Sequence, residues 1–313
     1  MEEPIPDHSL ANQKAPRAFF LNKMIVTHSK GAPTVILIVA SKDDAASWNI
    51  ASKLIANHNC EKTSDTFHNN PIYRLPLPSK EVRLLTVEGE LVDLQELSRQ
   101  REAELIVFIS RHESRSGTPI LSVHVPGNLG DAEFGGLPHT VSIAPANAMR
   151  SALRKMAEEK NRLGLQEFAV YYEGTHHGPS LDIPSLFVEI GSTAREWTNP
   201  QAGEAVAEAA MAAIKNSSSS EPAVSVGGSH CNRRLTSLGL ESKAALGHII
   251  PSHAFKWLTP ELIQHCIKRT LEKDPIIILD WKGIDGKDRE KLQTVLENVP
   301  YRIRRVADYR EEK

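Results

Sequence analysis

The chain has 313 residues, 40% hydrophobic and 24% charged, with a formal net charge of −2 at neutral pH. These figures describe an ordinary soluble globular protein that can build its own core, so neither a disulfide framework nor a structural metal is needed for folding. They exclude wholesale nonspecific nucleic-acid binding, yet leave room for a local basic patch that grips one end of an RNA.

In chain order, residues 1 to about 33 read as a disordered N-terminal extension, rich in polar residues and prolines, with Phe19-Phe20-Leu21 an isolated apolar patch. MEEPIPDHSL is acidic and broken by prolines, the opposite of a signal peptide, and Met24 offers a downstream start. The longest apolar run, Thr34 to Ala40, is far too short to span a bilayer, so a cytoplasmic protein with no membrane partner is expected. Cys60, Cys231 and Cys266 are far apart and form no CxxC pair, which fits a reducing compartment.

From Thr34 onward the pattern predicts one α/β domain over 34–313. TVILIVA is a short, continuous, β-branched run and predicts a buried strand; Ala46, Ile50 and Leu54 mark one face of a helix running to about Ala56. ELIVFIS (104–110) and LSVHV (121–125) predict two further strands, followed by a helix from about Pro145 to Lys160 with proline near its first turn. Strands are expected at 166–173 and 184–190, then a helix near 201–214 and an Asn-Ser linker at 216–220. A strand near 222–226, a helix near 260–272, a strand at 276–280, a helix near 286–297 and a strand near 301–306 complete the series. Such alternation implies a mostly parallel sheet with helices on both faces, whose ligands sit beyond the carboxyl ends of the strands.

The chemistry-bearing motifs cluster at those ends. Ser110-Arg111-His112 follows a buried strand and supplies a proton acceptor and an anion clamp, with a plain surface loop as the alternative. GTHHGP (174–179) holds two histidines in a punctuated turn; in extended backbone His176 and His177 would point to opposite sides. LFVEIGST (186–193) buries Glu189 in an apolar strand, where a carboxylate needs a partner, while Thr193 and Glu196 form a capping box. VGGSHC (226–231) places Gly227, Gly228 and Ser229 in a turn able to form an anion nest beside His230, although no P-loop ending follows. His248 and His253 in GHIIPSHA (247–254) read as incidental histidines of a core-facing loop. Arg150 and Arg154 lie four apart on one helix face, suited to phosphate contacts or simply to a solvated face. No HExxH, CxxC or Gly-x-Ser-x-Gly motif is present, so spacing assigns no metal ligand.

In this order, SRHESRSGTPILSVHVPGN (110–128), FGG (134–136), EGTHHGP (173–179), PSLFVEIGST (184–193), GGSH (227–230), GHIIPSHA (247–254) and ILDWKGI (278–284) resemble the D-aminoacyl-tRNA deacylase family of the archaeal and plant type. TVILIVASKDDAASWNIA (34–51) looks like its opening strand and helix, so the resemblance runs from Thr34 to about Arg305. It implies a core like that of the peptidyl-tRNA hydrolase and nucleoside phosphorylase group, hydrolysis of the ester of D-aminoacyl-tRNA, and zinc as a cofactor. It also implies His112, His176, His177, Glu189 and His230 as site residues, with base and ligand unassigned. Cys231, Asn232 and Arg233 stand where the family usually carries a tyrosine and, shortly after, a proline; the N-terminal extension is a second departure.

An aminoacyl ester is already activated, so the enzyme need only place a water, accept its proton and hold the oxyanion. His176 or His177 is the expected base and Glu189 its orienter. Gly227 to Ser229 are expected at the oxyanion or at tRNA phosphates, and Arg111, Arg150 and Arg154 on the phosphate backbone of the acceptor end. A monomer is expected. The competing readings are a peptidyl-tRNA hydrolase-like enzyme, a zinc-dependent hydrolase of small molecules, and a non-catalytic RNA-binding protein.

Overall fold

The computed structural model describes residues 34–78, 80–216 and 220–309; the extension expected over residues 1–33 lies outside the described residues. In chain order the first half contains β1 (Val35–Ser41), α1 (Ala45–Asn57), β2 (Glu61–Phe67), β3 (Asn70–Leu77), β4 (Lys80–Val87), β5 (Ala103–Glu113), β6 (Ile120–His124) and α2 (Ala146–Arg162). The second contains β7 (Ala169–Tyr172), β8 (Ser185–Ser192), α3 (Ala194–Trp197), α4 (Pro200–Ile214), β9 (Glu221–Val226), α5 (Arg233–Glu241), β10 (Ala244–Ile250), α6 (Pro260–Lys268), β11 (Ile276–Leu279), α7 (Gly286–Leu296) and β12 (Ile303–Arg305).

Local chemistry sets several of these boundaries. The Asp44 carboxylate accepts from the N–H groups of Ala46 and Ser47, satisfying otherwise orphaned donors at the start of α1. Asn199 caps α4 in the same way and Pro200 occupies its first turn. Thr193 and Glu196 form the expected capping box at α3.

The strands form two sheets. The first has the order β2-β3-β4-β1-β5-β8-β6-β7, with β4-β1, β1-β5, β5-β8 and β6-β7 parallel. The second, β10-β9-β11-β12, is parallel throughout. Successive side chains of a strand face opposite ways, so Ile36, Ile38 and Ala40 of β1 join a core shared with α1, α2 and α4. Val35, Leu37 and Val39 instead pack with Phe108, Phe187 and the short turns carrying Leu91, Leu94 and Leu97. In the second sheet, Ile276 and Ile278 face the α2 side while Ile277 and Leu279 face α6 and α7. Among the described residues no helix is long and apolar enough to cross a membrane.

The periodicity of the sequence predicts none of the three strands between α1 and β5, and two of them hide for a plain physical reason. β2 (EKTSDTF) is a largely exposed edge strand, and β3 carries Pro71 and Pro76. The stretch 247–250, expected as loop, is the end of the fully buried strand β10. Gly247 reads as punctuation in the sequence; in the structure its missing side chain leaves room for Ala144, whose Cβ would lie only 3.1 Å from a side-chain carbon at that position.

Candidate active site

The register of the first sheet assembles the site. Ser110 of β5 and Ser122 of β6 both pair with Glu189 of β8, on its two sides. His112 lies two residues beyond Ser110 on the same face, and His124 ends β6. β7 runs parallel to β6 and delivers Glu173, whose N–H donates to the Val123 carbonyl. The turn after Glu173 brings in His176 and His177, and the turn after β9 brings His230 alongside through a bridge between Glu173 and Cys231. His112 stands near the carboxyl end of β5, whereas His124 and Glu173 stand at the carboxyl ends of β6 and β7, which run antiparallel to β5 and β8. The site therefore lies across Glu189 of β8, not at the single carboxyl edge of the sheet that the strand alternation alone suggests.

Glu173 is the hub. Its carboxylate is 1% exposed and meets His112 Nδ1 at 3.0 Å, His230 Nε2 at 3.1 Å, His176 Nε2 at 3.9 Å and His124 Nδ1 at 4.0 Å. Glu189 accepts from the Ser110 hydroxyl at 2.6 Å and lies 3.8 Å from both His112 Nδ1 and His124 Nδ1. The rings of His124 and His176, and those of His176 and His177, have centroids 4.2 Å apart; His176 and His230 are at 4.4 Å. His124 stacks on Phe187, which stacks on Phe108, so one wall of the cluster is aromatic.

The expectation that His176 and His177 point apart is corrected. His177 has φ of +42°, which is left-handed rather than extended backbone, so both rings turn into one cluster. His176 Nδ1–H donates to the Gly174 carbonyl and His177 Nδ1–H to the Gly178 carbonyl. Each ring therefore presents Nε2, and that of His177 lies 3.2 Å from His124 Nε2.

Burial and pairing divide the protonation states. Burial disfavours the His112 imidazolium, but hydrogen bonds to Glu173 and Glu189 outweigh it and lift His112 to about 10. Burial would raise Glu173, yet His112 and His230 hold it well below the usual carboxylate range, whereas burial raises Glu189. Burial lowers His177 to about 4 and, with the neighbouring rings, pushes His124 and His176 well below 6.5. At neutral pH the site thus holds a cationic His112 against an anionic Glu173, beside three neutral imidazoles. Burial, aided by Glu173 and Glu189, pushes the Cys231 thiol up to about 12, which leaves no thiolate nucleophile there.

The structure thus brings His112, His176, His177, Glu189 and His230 together. It adds Glu173 and His124, two residues that lie within the family-like motifs but that the sequence does not single out. The ring of His253 reaches within 6.0 Å of His230. His248 is buried in β10, with Nδ1 3.2 Å from the Thr175 hydroxyl, and braces the turn below the cluster.

Of the residues expected to bind anions, Arg111 and Arg150 are engaged with groups outside the cluster, while Gly227 to Ser229 share the turn that carries His230. Arg111 alternates to the other face of β5, where it pairs with Glu90 at 3.0 Å and Asp44 at 3.6 Å. The Gly227 N–H donates to the Ile250 carbonyl, and Ser229 Oγ to the Cys231 carbonyl. A Cβ on Gly228 would collide with Asn232 Nδ2, and its φ of +83° also favours glycine. Arg154 borders an open cleft with Lys155, Glu158 and Glu208. Arg150 is 9% exposed and its guanidinium donates to the Ser242 carbonyl, so it is not part of a solvated face. Arg150→Ala is expected to lower unfolding stability by about 1–3 kcal/mol, measured by urea denaturation.

Three donor sets, each within 4.8 Å, could hold a metal ion: His124, His176 and His177; Glu173, His176 and His230; and His112, Glu173 and Glu189. The first two suit zinc best. His176 and His177 are anchored through Nδ1 to backbone carbonyls and present Nε2, the usual outer-shell arrangement of zinc-bound histidine. His124 Nδ1 is buried without a hydrogen-bond partner.

The chain is similar to known proteins over most of its length. Residues 99–304 match the family model for D-aminoacyl-tRNA deacylase. The chain is 40% identical over 272 residues to the D-aminoacyl-tRNA deacylase of Thermococcus kodakarensis, covering 84% of this chain and 97% of that one. It is 39% identical to that of Pyrococcus furiosus, covering 81% and 93%. A crystal structure of a conserved protein of unknown function superposes with a TM-score of 0.77 at 29% identity, covering 89% of this chain and 98% of its own. With its histidine motifs lying inside the matched region and its relatives spanned almost end to end, the chain belongs to the D-aminoacyl-tRNA deacylase family.

Proposed function

We propose that the cluster around Glu173 hydrolyses the ester joining a D-amino acid to the acceptor end of tRNA, releasing free D-amino acid and tRNA in the cytoplasm. The carrying observation is the buried Glu173 carboxylate ringed by His112, His124, His176 and His230. His176 suits the base: its Nδ1 proton is fixed on Gly174, its ring is neutral, and its side chain is 30% exposed to incoming water. His112, held cationic by Glu173, supplies positive charge for the developing oxyanion. Glu189, anchored by Ser110, holds His112 from the other side.

Zinc fits either of two donor sets, His124, His176 and His177 or Glu173, His176 and His230, and when bound it would lower the pKa of a water held on it. His176 Nε2 would then be a ligand, and its role as base belongs to the metal-free site. Chelation is expected to reduce turnover and lower the melting temperature, and zinc to restore both. Full activity in protein shown to be metal-free by elemental analysis would remove zinc from the reaction.

Mirror-image substrates carry the same groups, so selectivity requires a rigid pocket that rejects one arrangement. The functional test is deacylation of matched D-aminoacyl-, L-aminoacyl- and N-blocked peptidyl-tRNA. Equal cleavage of the D and L esters, or a preference for the blocked substrate, would overturn the assignment.

A further inference from the structure

A cavity of about 340 Å³ opens beyond the carboxyl end of β11, lined by Arg234, Asp280, Trp281, Lys282, Arg305 and Val306. One turn joins it to the histidine cluster. The Asn232 amide donates to the Gly227 carbonyl at 3.1 Å and to Asp280 Oδ2 at 3.2 Å, while the Asn232 N–H donates to the carbonyl of Tyr172, next to Glu173. His230, from the same turn, reaches Glu173 itself.

The cavity lining carries Arg234, Lys282 and Arg305 as cations against one carboxylate, Asp280. Asp280 is 2% exposed and its two oxygens are taken by Asn232 and Arg234. The anionic carboxylates of Asp285 and Asp308 do not line the cavity; they accept from the backbone N–H groups of Asp288 and Arg305. Arg305 and Arg289 lie over the Trp281 ring, 4.7 and 5.4 Å from its centroid, and Lys282 is exposed beside it. Among the described residues, none of these three cations forms an ion pair with a carboxylate. In a chain of net charge −2 this is a local concentration of positive charge. Guanidinium and ammonium groups at the lip of a basic cavity, one of them braced on an indole, suit the phosphates of a single-stranded nucleic acid.

We propose that this cavity holds the tRNA strand leading to the aminoacylated 3′ end, with Lys282 and Arg305 on its phosphates and Trp281 holding the Arg305 guanidinium in place. The proposal rests on the deacylase reading and adds a phosphate contact beside the one expected of Arg150 and Arg154.

The test compares the parent with the double variant Lys282→Ala/Arg305→Ala on D-aminoacyl-tRNA and on D-aminoacyl-adenosine, which carries the same ester without upstream phosphates. For the tRNA substrate, KM is expected to rise on the order of tenfold. The log–log salt dependence of uncharged-tRNA binding should flatten by roughly 1 to 2. Turnover of D-aminoacyl-adenosine and the melting temperature should not change. Unchanged KM and salt slope with tRNA, or an equal loss with D-aminoacyl-adenosine, would overturn the proposal. If the parent cleaves neither D-aminoacyl substrate, the deacylase reading fails instead, and the salt slope of uncharged-tRNA binding still decides the cavity.

Discussion

Glu173→Gln is expected to slow single-turnover hydrolysis of D-aminoacyl-tRNA by about 10²–10⁴-fold, the range typical of losing proton-transfer groups. Glutamine has nearly the same shape, so the packing around a 1% exposed side chain survives and only the charge is removed. That charge is what His112 at 3.0 Å and His230 at 3.1 Å are paired with, and it holds His112 up at about 10 against the effect of burial. Without it the His112 imidazolium keeps only the more distant Glu189, 3.8 Å away and itself shifted toward its neutral form. The same pair has a stability signature. His112 titrates higher in the folded protein than its ordinary value near 6.5, so its contribution is fully present below about pH 6.5. It is lost as pH rises through about 10. Metal-free parent protein should therefore lose stability across that alkaline window, and Glu173→Gln should show a flatter profile. Denaturation midpoints measured at steps between about pH 6.5 and 10 read this directly. A variant with the parental rate and the parental slope would remove Glu173 from the centre of the site.

The parts of this site that the sequence reveals are those where a polar group interrupts an apolar strand or stands just past its end. Glu189 within LFVEI and His112 after ELIVFIS are such cases, and the fold buries or half-buries both. Glu173 obeys the same rule, since it follows AVYY as directly as Ser110 follows ELIVFI. The two histidines beside it carry the more obvious signal, and the carboxylate that holds them reads as the start of a turn. His124 sits between Val123 and Val125, where a lone imidazole more often reads as packing; its partners Glu173 and Glu189 come from strands β7 and β8, and only the sheet order shows that. Charge is harder still to place from sequence. Arg111, Arg150 and Arg154 are correctly seen as cations, but which cation meets solvent depends on strand alternation and on neighbours such as Asp44 and Ser242 that are distant in the chain. For the fold, continuous apolar runs such as VILIVAS mark the central strands because both of their faces are buried. β2 is nearly invisible because an edge strand is polar to stay unpaired at one side, and β3, paired with both β2 and β4, is hidden by its two prolines.

His176→Ala and His177→Gly are expected to cut D-aminoacyl-tRNA turnover by about 10²–10⁴-fold each while the protein remains folded. The choice of glycine follows from the backbone. His177 holds φ at +42°, a conformation that a side chain disfavours and glycine accepts freely, so a purely structural histidine would not be selected at this position for its backbone fit. Replacing it with glycine should preserve stability or raise it slightly. If the ring served only to fill space against Phe187, 4.9 Å away, the variant would instead be destabilised, with a folded fraction that works normally. His176 provides the complementary case: its side chain is 30% exposed, little core is lost on truncation, and a fall in rate reports on chemistry or ligand binding. Melting temperature measured beside single-turnover rates on the D and L esters separates these outcomes. Parental rates in both variants would move the reacting centre away from His176 and His177, and toward the His112–Glu173 pair alone.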